Sequence, residues 1–137
     1  MGYDLKPKNK DAGFPRGMIF TWPHILKVTG ACYLFGCGDI DYRPGNYVYD
    51  GSRGPGSPFS NDGFQVKPSE VKVMAKLFRG YVFVKSYVLD EWENKTEREK
   101  ELLLTINKEA KPPSRDFLNK IESLADFCEK SGGFRIE

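Results

Sequence analysis

The amino-acid composition of the chain changes near Ser69, and this change constrains the fold more than any single motif. Residues 1–68 contain 11 of the 14 glycines and seven of the nine prolines, and all six of their acidic residues are Asp. Residues 69–137 contain 13 acidic residues, of which ten are Glu, and only three glycines. Glu favours helices, whereas Gly, Pro and Asp favour turns and caps. The sequence therefore predicts a loop-rich part with short strands and one helix, followed by a helical part.

The length and charge of the chain indicate one soluble domain. A chain of 137 residues has the size of a single domain, and neither part alone would bury enough surface to be stable, so we expect one domain over residues 1–137. The net charge of +2 is small for a dedicated duplex-binding protein. The charged start of the chain does not resemble a secretion signal, and the number of cysteines is odd, so we expect reduced thiols in a cytoplasm and no membrane partner.

The first predicted helix begins near Thr21. Thr21 is a good N-cap, and Pro23 fits the first turn, where its missing N–H is not needed. Gly36 or Gly38 is expected to end this helix. Its apolar and small residues recur at helical spacing: Trp22, Ile25, Leu26, Thr29, Cys32 and Tyr33.

The second predicted helix opens with Pro68-Ser69-Glu70, where the acidic side chain is favourable near the positive end of the helix dipole. The run from Tyr81 to Val84 is compatible with either helix or strand, so the end of this helix is left open. One apolar stripe marks its buried face: Val71, Met74, Ala75, Phe78, Tyr81 and Val82.

Two further helices are predicted between residue 96 and the C-terminus. Thr96 and Glu99 form a capping box ahead of Leu102, Leu103 and Ile106, and Pro112-Pro113 must stop that helix. Ser114 caps the last helix, and Gly132-Gly133 provide a left-handed stop. The buried face of the last helix is expected to consist of Phe117, Leu118, Ile121, Leu124, Ala125 and Cys128.

Short alternating segments predict a small sheet. Phe134–Glu137 alternates as an edge strand and can pair with the alternating segment Tyr3–Lys6. Asn46–Asp50 reads as a further strand, and Asp62-Gly63 is a tight-turn signal. The predicted fold is therefore α+β, with three or four helices packed with a small antiparallel sheet.

Four side chains are soft enough to bind zinc: His24, Cys32, Cys37 and Cys128. Their spacing lacks the two close pairs of a structural zinc site. We therefore expect no metal and no cofactor, with Cys32 and Cys128 as small core residues. The glycine-rich loop at 51–57 is likewise not a phosphate cradle, because Pro55 removes a backbone donor and no Lys-Ser/Thr follows.

An aromatic and basic cluster is the candidate ligand- or partner-binding site. It consists of Tyr42, Arg43, Tyr47, Tyr49 and Arg53. In a strand, Tyr47 and Tyr49 project from the same face. Tyrosine beside arginine can stack on bases or anchor a protein partner, and the same tyrosines can equally pack against the helices.

A His-based catalytic triad would have to use His24, the single histidine. Asp39 and Asp41 would share a face of a strand, so a pocket near these three residues is the alternative site. However, the sequence provides no coherent catalytic set, and the charge run at 93–101 is most simply a solvated helix face.

Three short segments resemble a group of small, uncharacterised bacterial and bacteriophage-borne proteins: Met1–Leu5, Ser60–Phe64 and Phe127–Phe134. The resemblance implies a bacterial or mobile-element origin, and it brings no assigned activity, cofactor or catalytic residue. The leading functional hypothesis is a non-enzymatic binding or accessory protein that contacts a protein or nucleic acid through the Tyr42–Phe59 region. The alternatives are a small enzyme or ligand-binding protein with a pocket near His24, and a homo-oligomer formed through the helix at 97–106.

Overall fold

The computed structural model describes residues 3–13, 15, 21–36, 56–59 and 62–137. Its helices are α1 (Trp22–Val28), α2 (Pro68–Glu93), α3 (Glu97–Ile106) and α4 (Arg115–Ser131). Its strands are β1 (Leu5–Pro7), β2 (Phe64–Val66) and β3 (Phe134–Ile136), and 3₁₀ turns span Lys10–Ala12 and Ala31–Phe35. This arrangement confirms the predicted α+β class.

The sheet is antiparallel, with the strand order β1-β3-β2. Ile136 lies opposite Leu5 on one side and opposite Phe64 on the other. The predicted pairing of the two ends of the chain is therefore confirmed. The prediction that the C-terminal segment is an edge strand is wrong, because β2, which the sequence analysis did not predict, covers its second edge.

The core forms where α2 and α4 pack against each other and against the sheet. Both predicted apolar stripes face this core, although Tyr81, Val82 and Phe117 at its margin are only partly buried. Phe134 of the sheet meets Trp22 edge-on at 6.1 Å and Phe127 at 5.4 Å between ring centroids. The largest fully buried side chains are Trp22, Phe35, Phe64, Phe78, Leu5, Ile25, Leu26, Met74, Leu118, Ile121 and Leu124.

The described part of residues 1–68 supplies a large share of this core. Leu5, Trp22, Phe35 and Phe64 are all fully buried. A part of the chain that is rich in glycine and proline thus provides core residues as well as loops. The physical reason is that α2 and α4 alone leave one side of their interface open, and α1 and the sheet close it.

The first helix is shorter than predicted. α1 ends at Val28, and Gly30 adopts a left-handed conformation with φ of +79° before the 3₁₀ turn begins. The change of direction leaves Tyr33 61% exposed, although its spacing placed it on the buried stripe. Thr21 precedes the helix as predicted, but its side chain makes no capping hydrogen bond.

The other helix starts follow the predicted chemistry. Glu70 accepts a hydrogen bond from the backbone N–H of Lys67 at 2.9 Å, and Ser114 accepts one from the N–H of Phe117 at 3.2 Å. Thr96 accepts one from the N–H of Glu99 at 3.2 Å, which confirms the capping box. These bonds satisfy donors that a helix start leaves without an intrahelical partner.

The structure settles one helix end that the sequence left open and corrects another. α2 continues without a break through Tyr81–Val84 to Glu93, so the open choice between helix and strand is settled as helix. α3 ends at Ile106, because the next residue, Asn107, takes an extended conformation. The helix thus stops before it reaches the Pro112-Pro113 pair. The predicted strand at Asn46–Asp50 lies outside the described residues.

The turn from α4 into β3 yields the first testable prediction. Gly133 has φ of +108°, and a Cβ there would lie 3.0 Å from the carbonyl oxygen of Val66. We expect Gly133→Ala to destabilise the fold by about 2–4 kcal/mol, because it adds a contact with rigid backbone to the conformational strain.

Gly132→Ala is the matched control. Gly132 is also left-handed, with φ of +67°, but a Cβ there has nothing within 4 Å. We expect Gly132→Ala to lower the free energy of unfolding by about 1–2 kcal/mol, from the conformational strain alone. Urea unfolding of both variants measures the difference, and equal losses would show that the contact with Val66 is unimportant.

Candidate protein-binding surface

The residues predicted to bind a ligand or partner, Tyr42, Arg43, Tyr47, Tyr49 and Arg53, lie outside the described residues. Asp39, Asp41, Cys37 and the loop at 51–55 lie outside them as well. The hypotheses built on these residues therefore stay predictions.

Pro58 and Phe59, which follow this region in the sequence, are hydrogen-bonded to the core. The indole Nε1 of Trp22 donates a hydrogen bond to the carbonyl oxygen of Pro58 at 2.9 Å. The hydroxyl of Tyr3 donates one to the carbonyl oxygen of Phe59, also at 2.9 Å. Residues 58 and 59 therefore have a defined position on the protein.

His24 is an exposed side chain in the first turn of α1. Its ring lies 5.7 Å from that of Phe117, at a tilt of 47°. Among the described residues it has no hydrogen-bond partner, so nothing there orients it as a general base. The structure thus describes one member of the predicted pocket, and Asp39 and Asp41 lie outside the described residues.

Cys32 and Cys128 are core residues, as predicted. Burial, helped by the nearby negative charge of Glu129, raises the pKa of Cys128 to about 12. Its thiol is therefore protonated at neutral pH and a poor nucleophile. Within the described ranges, no three His, Cys, Asp or Glu side chains come together as a metal site.

A groove of about 470 Å³ runs beside α4. Ala12 and Pro15 line it together with polar residues of the helix, including Asn119, Ser123 and Lys130. Within the described residues Ser123 makes no side-chain hydrogen bond, so a base that would activate its hydroxyl is not in place there. The groove has a mixed polar and apolar lining, and the described side chains give it no specific chemistry.

α2 carries two apolar stripes on opposite sides. Val71, Met74 and Phe78 face the core, whereas Val73 is offset from Val71 by two residues, which corresponds to about 200° around a helix. The second stripe therefore points away from the core. We call it the outer face of α2, and its exposed members are Val73, Gly80, Phe83, Val84, Tyr87 and Val88.

The outer face of α2 contains two of the most exposed large apolar side chains of the described residues. Phe83 is 81% exposed and Tyr87 is 68% exposed. Single exposed apolar residues are normal in proteins, but a contiguous group on one helix marks an interaction site. This group covers slightly more than four turns of α2.

Gly80 lies in the middle of the outer face. An exposed glycine inside a helix destabilises it by roughly 1 kcal/mol relative to alanine. A Cβ at this position would have no atom within 4 Å, so the fold of one chain has no steric need for glycine here. The missing side chain leaves space at the centre of the outer face.

The charges beside the outer face differ between its two ends. Lys72 and Lys76 are exposed near the N-terminal end, and Glu91 is exposed near the C-terminal end. Among the described residues neither Lys76 nor Glu91 takes part in an ion pair. Both therefore have their charges available to a partner.

α3 carries a second, smaller apolar patch. Leu102 is 62% exposed and Ile106 is 76% exposed, whereas Leu103 and Leu104 are half-buried. No residue of α3 is buried, so this helix contributes little to the core. Consecutive leucines on a helix cannot all face inward, and here Leu102 is the one that faces outward.

One arginine fixes α2 against α4. The guanidinium of Arg79 donates hydrogen bonds to Glu122 at 2.5 Å, Asp126 at 2.7 Å and Glu129 at 3.0 Å. Its hydrogen bond to Glu129 holds the pKa of that carboxyl below its usual range. At the far end, Arg115 of α4 donates to Asp90 at 3.0 Å. These contacts orient α2, and with it the outer face.

Comparisons with protein-family models, with curated proteins and with solved structures gave no match. Within the described ranges, every helix is too short or too polar to cross a bilayer. Inference about function therefore rests on the described surface.

The sequence analysis missed the outer face of α2, although a signal for it is present. The spacing of a helix–helix seam, alternately four and three residues, occurs at positions 73, 77, 80, 84, 87 and 91. The stripe that begins at Val71 masks this pattern, because it is longer and more apolar.

The Arg79 cluster yields a pH prediction. The folded state lowers the pKa of Glu129, so this group contributes stability above its unfolded pKa and loses the contribution as the pH falls through the folded value. Arg79→Met should therefore lower stability at pH 7, and the difference from the parent chain should shrink in acid.

The matched control is Arg115→Met, which removes a similar exposed contact with Asp90. Urea unfolding at neutral and acidic pH compares the three chains. If Arg79→Met lowers the stability equally at every pH, the arginine contributes through packing of its stem and not through its carboxylate partners.

Proposed function

We propose that the chain is a non-enzymatic binding protein that engages a protein partner through the outer face of α2. The observation that carries this proposal is the exposed apolar stripe along a helix whose opposite side is fully committed to the core. The proposal retains the binding function expected from the sequence and assigns it to a different surface.

The composition of the outer face supports protein binding, and its two aromatic side chains supply part of the area that an interface needs. A large aromatic side chain buries about 150–250 Å² when it is covered, so Phe83 and Tyr87 together offer roughly 300 Å². A specific interface of standard size needs about 800 Å² from each partner. Aromatic residues are also enriched in interface cores, and tyrosine is frequent among residues that dominate the binding energy.

The shape of the outer face favours a helical partner. Its alternating spacing of four and three residues presents a straight row of side chains along the helix. A second helix can place its own apolar side chains into such a row. An extended peptide would instead need an open sheet edge or separate pockets.

The segment with Tyr42, Arg43, Tyr47, Tyr49 and Arg53 remains a second proposed contact region. It is favoured by its sequence, because tyrosines beside arginines can anchor a protein partner or stack on bases. Its partner would be a protein or a nucleic acid. A bacterial or phage origin and a cytoplasmic location are part of the same proposal, and both rest on the sequence features alone.

Site-specific photocrosslinking tests the proposed function. A photoreactive phenylalanine analogue at Tyr87, in cells that make the chain, should give a discrete protein adduct. Val84→Lys should abolish this adduct, because it places a charge in the middle of the outer face and a buried charge without a partner is strongly unfavourable. Mass spectrometry of the adduct identifies the protein that is bound.

The matched control places the same analogue at Asn119, an exposed position on α4. We expect no discrete adduct from that position. Equal adducts from both positions, or an adduct from Tyr87 that is insensitive to Val84→Lys, would refute the outer face of α2 as a binding surface.

A further inference from the structure

We propose that the partner bound by the outer face of α2 is a second copy of the same chain, packed as a symmetric antiparallel helix pair. This inference rests on the proposed function, because it names the occupant of that surface. Symmetric dimers in which the same patch meets itself are the commonest oligomers of soluble proteins.

The central glycine fits a pair of equal helices. When two copies of α2 pack antiparallel about the middle of the outer face, Val84 of each copy lies opposite Gly80 of the other. The open space at Gly80 accepts the branched side chain, since a Cβ there would have nothing within 4 Å. The glycine that one chain does not need thus acquires a packing role.

The pairs of side chains on either side of the Gly80–Val84 contacts are complementary in size. The same register places Leu77 of one copy opposite Tyr87 of the other, so a half-buried aliphatic side chain meets a large exposed aromatic one. Each contact occurs twice because of the two-fold symmetry. Phe83 and Val88 flank these pairs and become covered as the helices approach.

The charges select the antiparallel direction. Lys72 and Lys76 lie at one end of the outer face and Glu91 at the other, so antiparallel packing brings opposite charges together at both ends. Parallel packing would place lysine against lysine and glutamate against glutamate. Complementary charges of this kind fix orientation and register more than they fix affinity.

The first test is the mass of the protein in solution. Analytical ultracentrifugation over a concentration series from about 1 μM upward should show a species of twice the chain mass of 15.6 kDa. Val84→Lys should weaken the dimer by about 100-fold or more, because it buries a charge at the central layer. Circular dichroism and thermal unfolding of the variant show that the fold is intact, since Val84 is exposed in the single chain.

Ile106→Lys is the matched control, because Ile106 is as exposed as the residues of the outer face but lies on α3. We expect it to leave the dimer unchanged. A chain that stays monomeric at every concentration overturns the inference. A dimer that is lost on Ile106→Lys and kept on Val84→Lys overturns it too, because the contact would then be α3.

The second test concerns direction. Lys76→Glu and Glu91→Lys should each weaken the dimer by roughly tenfold, because each replaces two attractive contacts by repulsive ones. The double variant Lys76→Glu/Glu91→Lys should restore the affinity if the helices are antiparallel. A double variant that binds no better than the single ones overturns the antiparallel arrangement.

The two proposals fail in different ways. An adduct of Tyr87 with another protein, together with a monomer in the ultracentrifuge, would overturn the self-association and leave the binding function intact. An adduct whose two components are both this chain, lost on Val84→Lys, supports the self-association and the binding function together.

Discussion

The antiparallel contact between α2 and α4 is the interaction on which the other elements of the structure depend. It buries Met74 and Phe78 against Ile121 and Leu124, and Arg79 closes its edge through three carboxylates. The sheet depends on the same contact. β2 precedes α2 by one residue and β3 follows α4 after two glycines, so the pairing of these strands joins the adjoining ends of the two helices.

This arrangement explains why one side of α2 stays open. The helix has 26 residues, and the described elements pack on the side that faces α4 and the sheet. Its opposite side is apolar as well, with Val84 and Tyr87 exposed. A helix that is apolar on both sides is normally buried on both sides. The outer face therefore has the character of a core surface that a partner completes.

The sequence predicted the elements with strong local signals and missed those without them. The stripes of α2 and α4 extend over several turns, and Thr96 and Ser114 cap in ways that depend only on nearby residues, so pattern alone identifies them. β2 was missed although Phe64–Val66 alternates as β3 does, because these three residues lie directly between a turn signal and the start of α2, and their pairing with β3 is decided by tertiary packing. α1 ends early because Gly30 turns the backbone, which helical spacing alone does not reveal.

The candidate surface was less predictable than the fold because exposure is a property of the assembled chain. Val73 and Val84 follow the spacing of a helix–helix seam in the sequence, but the sequence does not show that they stay exposed once α4 occupies the other side of α2. Once the helix is fixed by packing and by Arg79, the outer face is preorganised, so binding does not have to order it first. In the proposed binding, the flanking Lys76 and Glu91 would act on selectivity, because they favour a partner with the reversed order of charges and disfavour one with the same order. A rigid apolar surface with opposite charges at its two ends can select a partner without any catalytic chemistry.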